Sequence, residues 1–356
     1  MSLYTVIGAM SGTSMDGVDL VCTTFQTIDN KSIKHSCHCS KTYSYPSEMV
    51  DALNHSKELS APKLLELDKK VGRYFAKCIN TFIEENKLNV SKIDAIASHG
   101  HTVYHQPENG FTLQIGCGDT IAFHTGICVI NDFRQKDVIA GGTGAPLVPL
   151  GDQLLYGHIA DAFLNIGGFC NISILKKPTI AYDICPGNLP LNLLMKQLGK
   201  QYDSNGDSAR TGTLDISLFR TLNELDYYKK NHPKSLGTEW LNDKFTPLIA
   251  NTTNTYDALN TVVEHIATQV SNACKTHEIN QLYITGGGAF NSFLIERIQA
   301  NTPPLKIILP SPVEIEFKEA IIFSFLGFRY LERKHNTLPS VTGAKQAVIG
   351  GVLHLP

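Results

Sequence analysis

Three glycine-bearing loops hold most of the groups in this chain whose type and spacing suit them to chemistry. The first, Ser11-Gly12-Thr13-Ser14-Met15-Asp16-Gly17, joins two strand-like runs. Its backbone N–H groups and hydroxyls can converge on phosphate oxygens, and Asp16 can hold Mg²⁺, directly or through water. Small side chains allow the close approach that such contacts need. The same residues also compose an ordinary hairpin turn, since Gly and Ser dominate turns. The second loop, around Asn165, Gly167 and Gly168, sits where a second phosphate clamp is needed. The third, Gly286-Gly287-Gly288-Ala289-Phe290-Asn291, closes an apolar strand and opens a helix, where bare backbone can pack against a base or a ribose. A tight strand-to-helix turn accounts for one of its glycines but hardly for three.

Other residues offer charge or metal-ligand chemistry. Arg134, in Asp132-Phe133-Arg134, presents a planar fork suited to a carboxylate or a sugar oxygen, or to a surface salt bridge with Asp132 or Asp137. His99, His101 and His105 have spacing that invites zinc, but Gly100 and the loop setting argue against it. Cys37-His38-Cys39 alternates within an extended stretch, so both thiols share one strand face, and a tetrahedral site would need a second pair. Neither a G-x-x-x-x-G-K-[ST] sequence nor a G-x-G-x-x-G leading from strand to helix occurs, which disfavours P-loop enzymes and Rossmann dehydrogenases.

The elements that must position these groups follow a repeated grammar. Strands are expected near 3–8, 18–25 and 34–44, a long helix at 62–86, then strands at 95–98 and 128–131. A His-rich loop is expected at 99–105. Strand, Gly turn, strand, strand restarts at 162–166, 169–175 and 180–184, followed by helix 256–276, strand 281–285, a helix from 291, strand 306–309 and helix 317–331. That later order is βαβ, with a parallel sheet. Duplicated α/β lobes with glycine turns facing one another across a cleft describe the two-lobed actin-like ATPase plan. The expected lobes are 1–135 and 136–356, with the last helix packing back on the first lobe and Gly141-Gly142-Thr143-Gly144-Ala145-Pro146 resembling a hinge.

Composition narrows the partners. Lys plus Arg number 31 against 33 Asp plus Glu, a formal charge of −2 without long blocks of one sign, so nothing recommends nucleic acid. The start lacks a signal-peptide pattern, and no apolar run of about 18 residues occurs. Nine scattered cysteines suit a reducing compartment. A cytoplasmic protein with no membrane partner is expected.

The residues also resemble a known family. Ile7-Gly8-Ala9-Met10-Ser11-Gly12-Thr13-Ser14-Met15-Asp16-Gly17-Val18-Asp19 is very similar to the opening signature of anhydro-N-acetylmuramic acid kinases. The likeness continues through Ser98-His99-Gly100-His101-Thr102-Val103, Gln114-Ile115-Gly116, Asp132-Phe133-Arg134, Gly144-Ala145-Pro146-Leu147-Val148-Pro149, Asn165-Ile166-Gly167-Gly168, Pro186-Gly187-Asn188, Gly286-Gly287-Gly288 and Val341-Thr342-Gly343-Ala344. The resemblance implies an ATP- and Mg²⁺-dependent hydrolytic kinase of bacterial cell-wall recycling. Such an enzyme opens 1,6-anhydro-N-acetylmuramic acid and phosphorylates O6, giving N-acetylmuramic acid 6-phosphate. It implies Asp183 as catalytic base and Arg134 as clamp for the lactyl carboxylate. Nucleotide contacts are implied from Gly12, Thr13, Ser14, Asp16, Gly17, Asn165, Gly167, Gly168, Gly286, Gly287, Gly288 and Asn291, and substrate contacts from His99, Thr102, Gln114 and Glu319. A homodimer is implied as well.

This sequence departs from the family at several positions. Asp183-Ile184-Cys185-Pro186-Gly187-Asn188 replaces the usual Asp-Thr-Gly-Pro-Gly-Asn, which places bulkier groups beside the base. His101 stands where Gln is usual and Asn192 where Asp is common, and Gly151-Asp152 replaces a His-containing segment. Readings that compete with this one are a kinase of another anhydrosugar such as levoglucosan, a nucleotide-binding pseudo-kinase or chaperone, and a metallopeptidase of the same superfold.

Overall fold

Two apolar runs and an alternating one at the start of the chain form three antiparallel strands, β1 (Leu3–Met10), β2 (Gly17–Thr27) and β3 (Ile33–Ser44). The computed structural model describes residues 2–12, 15–28, 32–250 and 252–356. Val6, Ile7, Leu20, Val21 and Phe25 are fully buried, which fixes the register of this meander against its covering helices. The chain then crosses over through the helix Ala61–Glu85 to β4 (Ala95–Gln106), parallel to β1. Val71, Phe75, Ile79 and Phe82, spaced four, four and three apart, form the stripe this helix buries. After β5 (Phe111–Ile115), which pairs with β4, β6 (Val129–Asn131) adds in parallel on the far side of β4.

The plan then repeats. β7 (Ala162–Ile166), β8 (Phe169–Ile174) and β9 (Ile180–Pro186) form a second antiparallel meander. The helix Thr255–Thr276 leads to β10 (Gln281–Thr285), parallel to β7, and the helix Ser292–Asn301 leads to β11 (Lys306–Ile308), parallel to β10. The core of this sheet order is β9-β8-β7-β10-β11, and that of the first is β3-β2-β1-β4-β6, with β12 (Val352–His354) added antiparallel to β6. Strand for strand, the order and the directions are the same.

The chain divides into two compact units, Met1–Tyr156 with Phe317–Pro356, and Gly157–Glu316. The sequence placed the division near 135 instead. Residues 136–156 stay with the first unit because their polar groups are satisfied there. Asp137 is fully buried and accepts hydrogen bonds from Gly144 N (2.9 Å) and Thr342 Oγ1 (3.0 Å). Asp152 forms a buried ion pair with Lys318 at 2.7 Å. The 141–146 stretch, read from sequence as a hinge, is therefore pinned inside the first unit. Thr143 N also donates to Thr342 O at 2.8 Å.

The helix Pro312–Leu331 packs closely on the first sheet where two glycines permit it. A Cβ at Gly8 would lie 2.1 Å from Ala320 O, and one at Gly327 would lie 2.6 Å from the Ala97 Cβ. The expected His-rich loop at 99–105 is instead a continuation of β4. Gly100, with φ +75°, and a register break against β1 at Met10 bend the strand without ending it.

Candidate active site

In the first unit, the end of β1 and the bend of β4 bring polar side chains together. Arg134 Nε donates to His99 Nε2 at 3.0 Å, and Arg134 Nη1 donates to Gly144 O at 2.8 Å. A guanidinium only donates, so His99 accepts at Nε2 and carries its proton on Nδ1, which lies 2.9 Å from Gly100 O. Burial, and then Arg134 itself, hold His99 well below the usual imidazole range, so the ring is neutral. Burial also pulls the Arg134 guanidinium down to about 10, which leaves it cationic at neutral pH. No carboxylate lies within ion-pair distance of it among the described residues. Glu319 is reached by solvent but surrounded by protein that desolvates it; burial raises its carboxyl, Asp19 adds to the rise, and Arg134 and Lys318 oppose it. Thr102 and Gln114 are register partners on β4 and β5, with Gln114 Nε2 donating to Thr112 Oγ1 at 2.8 Å.

The first loop is anchored by a residue that sequence reading left out. Tyr45 Oη donates to Ser11 Oγ at 2.7 Å, which leaves the Ser11 proton to face His101 Nδ1 at 3.1 Å. The signal for Tyr45 was weak because it lies 34 residues from Ser11. Gly12 is half-buried and Asp16 exposed, while Thr13 and Ser14 lie outside the described residues. Gly17 is required by strand pairing, since a Cβ there would sit 2.2 Å from Tyr43 O. His99, His101 and His105 bond to separate partners, the last to Thr112 Oγ1 at 3.2 Å. Among the described residues no group of three or more His, Cys, Asp or Glu could hold a metal ion.

In the second unit, three strand-end turns converge. Gly187 N donates to Gly168 O and Asn188 N to Gly167 O, both at 2.8 Å, while Asn188 Nδ2 donates to Ile166 O at 3.2 Å. The three consecutive glycines separate by role. Gly286 has φ +82° and a Cβ there would meet Asn165 Oδ1 at 2.6 Å, and a Cβ at Gly288 would meet Ile166 Cγ2 at 2.1 Å. Packing of the turns thus explains two of the three. Gly287 is exposed, with only Asn188 Nδ2 near its absent Cβ, at 3.6 Å. Gly167 is half-buried and its backbone is engaged, N donating to Phe169 O at 3.2 Å and O accepting from Asn188 N, so the accessible backbone beside Asn188 is that of Gly287. Asn291 is buried and caps the helix Ser292–Asn301 through Leu294 N at 3.0 Å.

Asp183 lies on β9, half-buried. Its Oδ2 accepts from Leu236 N at 2.8 Å, and Oδ1 has no hydrogen-bond partner among the described residues. Its backbone is clamped as well, with Asp183 N donating to Lys234 O at 3.2 Å and Tyr227 Oη donating to Asp183 O at 2.6 Å. Burial pushes its carboxyl above the ordinary range, and the Leu236 N–H opposes that rise. Sequence reading missed Tyr227, Lys234 and Leu236, which reach Asp183 from 44 to 53 residues away. The bulk of Ile184 and Cys185 enters the core, 3% and 0% exposed, so the departure beside the base is absorbed by packing. Asn192 lies half-buried on the helix Asn188–Gln197. Gly151 packs against Ile322, and Asp152 holds Lys318.

Ser98 Oγ, in β4 before its bend at Gly100, and Thr285 Oγ1, at the end of β10, are buried without hydrogen-bond partners among the described residues.

Two sheets of one topology, each with glycine loops at the ends of parallel strands, are the α/β plan of the actin-like ATPases. A family model described as anhydro-N-acetylmuramic acid kinase matches residues 4–356. The anhydro-N-acetylmuramic acid kinase of Sulfurovum sp. (strain NBC37-1) is 35% identical, over 97% of this chain and 98% of the relative. That of Actinobacillus pleuropneumoniae serotype 3 (strain JL03) is 37% identical, over 98% of both. Among solved structures, component A of the (R)-2-hydroxyglutaryl-CoA dehydratase of Acidaminococcus fermentans aligns with a TM-score of 0.47 at 10% identity, covering 89% of this chain and 95% of that one. This chain belongs to the anhydro-N-acetylmuramic acid kinase family.

Proposed function

We propose that this protein is an ATP-dependent kinase that converts 1,6-anhydro-N-acetylmuramic acid to N-acetylmuramic acid 6-phosphate, a step of cell-wall recycling. Family membership along the whole chain supports the reaction. Asp183, with one oxygen held and the other unpartnered, is the observation that carries the mechanism.

In that mechanism Asp183 Oδ1 takes a proton from water as the water oxygen bonds to C1. The C1–O6 bond breaks, and O6 becomes the phosphoryl acceptor. The Leu236 N–H fixes the aim of the carboxylate and favours its ionised form, while burial makes it a stronger base than an exposed aspartate. Arg134, held rigid by His99 and Gly144 O, keeps donors free for the lactyl carboxylate of the sugar. Thr102, Gln114 and Glu319 are proposed to contact the sugar hydroxyls. The exposed backbone at Gly287 fits a phosphate chain, as does the tethered loop at Ser11 and Gly12, and Asp16 is an exposed carboxylate available to Mg²⁺. ATP would give its γ-phosphoryl group to O6 and leave as ADP, and Mg²⁺ held by Asp16 would offset charge on the phosphates.

Asp183→Asn is expected to lower turnover by about 100- to 10,000-fold while ATP affinity is kept. In the unaltered protein, kcat/KM should fall with acidity through a pKa above the ordinary aspartate value, because the proton-accepting form is lost there. A variant that retains turnover would remove Asp183 from the mechanism. A cytoplasmic homodimer is proposed on family membership, and sedimentation showing only monomers would set the dimer aside. Among the described residues no helix is long and apolar enough to cross a membrane.

A further inference from the structure

The second unit holds a cavity of about 500 Å³ that the proposed reaction does not use. Its walls are Tyr182 and Ile184 of β9, the 228–234 segment, and the last turns of the helix Thr255–Thr276. Tyr182 and Asp183 are successive residues in regular register on β9, so Tyr182 lines the cavity from the face opposite the Asp183 side chain.

The chemistry of the lining is one-sided. Lys229, Lys230, Lys234, His232 and His277 all contribute, and no Asp or Glu does. Lys229 has an exposed partner outside the lining, Asp226, at 2.9 Å. Lys234 is half-buried, and among the described residues its Nζ reaches Tyr227 O, at 3.5 Å, and the faces of the Tyr182 and Tyr227 rings, with no carboxylate within ion-pair distance. A half-buried ammonium with no carboxylate beside it is poorly compensated, and an anion would correct that. Tyr182 stacks on His232 with ring centres 5.8 Å apart, and His277 Nε2 lies 3.1 Å from Tyr182 Oη. These rings form a flat wall beside the cationic groups. Burial, together with His232 and Lys176, depresses the His277 imidazole, as expected where positive groups crowd without a counter-charge.

We propose that this cavity binds a small phosphate-bearing anion, with Lys230 and Lys234 as its charged ligands and the Tyr182–His232 stack as its wall. The cavity is larger than one phosphate needs and has room for a phosphorylated sugar. The segment that would touch this ligand also supplies Lys234 O and Leu236 N to Asp183.

The test follows the imidazole NMR signals of His232 and His277, assigned with His232→Gln and His277→Gln, in the full chain. Inorganic phosphate, glucose 6-phosphate and neutral glucose are titrated in turn, with saturating ATP to fill any nucleotide site. Both signals should shift saturably with the two phosphates and stay still with glucose. Tighter binding of glucose 6-phosphate would make the ligand a phosphorylated sugar, and equal binding would make it free phosphate. Lys230→Gln, at an exposed position that leaves folding intact, should weaken binding about tenfold, the effect of losing one charge-assisted contact. Signals that do not move, that move equally with glucose, or that titrate unchanged in Lys230→Gln would overturn the proposal.

Discussion

At Arg134 the structure joins rigidity to an unmet charge. His99 and Gly144 O take one donor each from Nε and Nη1, which fixes the plane of the fork, and among the described residues no carboxylate lies within ion-pair distance of it, Glu319 acting on it from further off. Arg134→Gln is therefore expected to raise KM for the anhydro sugar by about 10- to 100-fold, the range for a lost charged hydrogen bond. An analogue without the lactyl acid should feel the substitution far less, and side-by-side steady-state kinetics would show the difference. Equal losses with both sugars would mean that Arg134 holds the loop and not the substrate. Much of this scale was legible in the sequence, because Asp183, Arg134 and His99 lie in motifs. Their supports were not, because Tyr45, Tyr227 and Leu236 meet them through contacts 34 to 53 residues apart in the chain. No local pattern encodes such contacts.

Among the elements, close packing of strand on helix depends on glycines whose role the sequence did not disclose. Gly8 lies in β1 against backbone, with Ala320 O 2.1 Å from where a Cβ would be, and a backbone oxygen cannot swing away as a side chain can. Gly8→Ala should cost about 1–3 kcal/mol, the usual penalty for overpacking, read as a lower urea midpoint with an unchanged m-value. An unchanged midpoint would mean that the helix Pro312–Leu331 shifts without resistance. Strands of the two meanders were readable as short apolar runs set off by glycine turns. The continuation of β4 through 99–106 was not, since Gly100 and the polar run around it look like a loop. Pairing with β5, whose own pattern is short, is what holds that stretch extended.

For the whole molecule, the duplication was visible in the order of strands and glycine turns, and both sheets have it. The division between units was less visible, because it depends on where Asp137, Asp152 and the 317–356 segment find partners. Repeated sheets carry two sets of loops, and the reaction assigned to this chain asks two things of it: activation of water at C1 and delivery of phosphate to O6. Both are tested together by running the reaction in ¹⁸O-water and locating the label by mass spectrometry. The expected product is a phosphorylated reducing sugar with one heavy oxygen at C1, formed by the unaltered protein and not by Asp183→Asn. Phosphorylated product without label would show plain phosphotransfer and contradict the role given to Asp183.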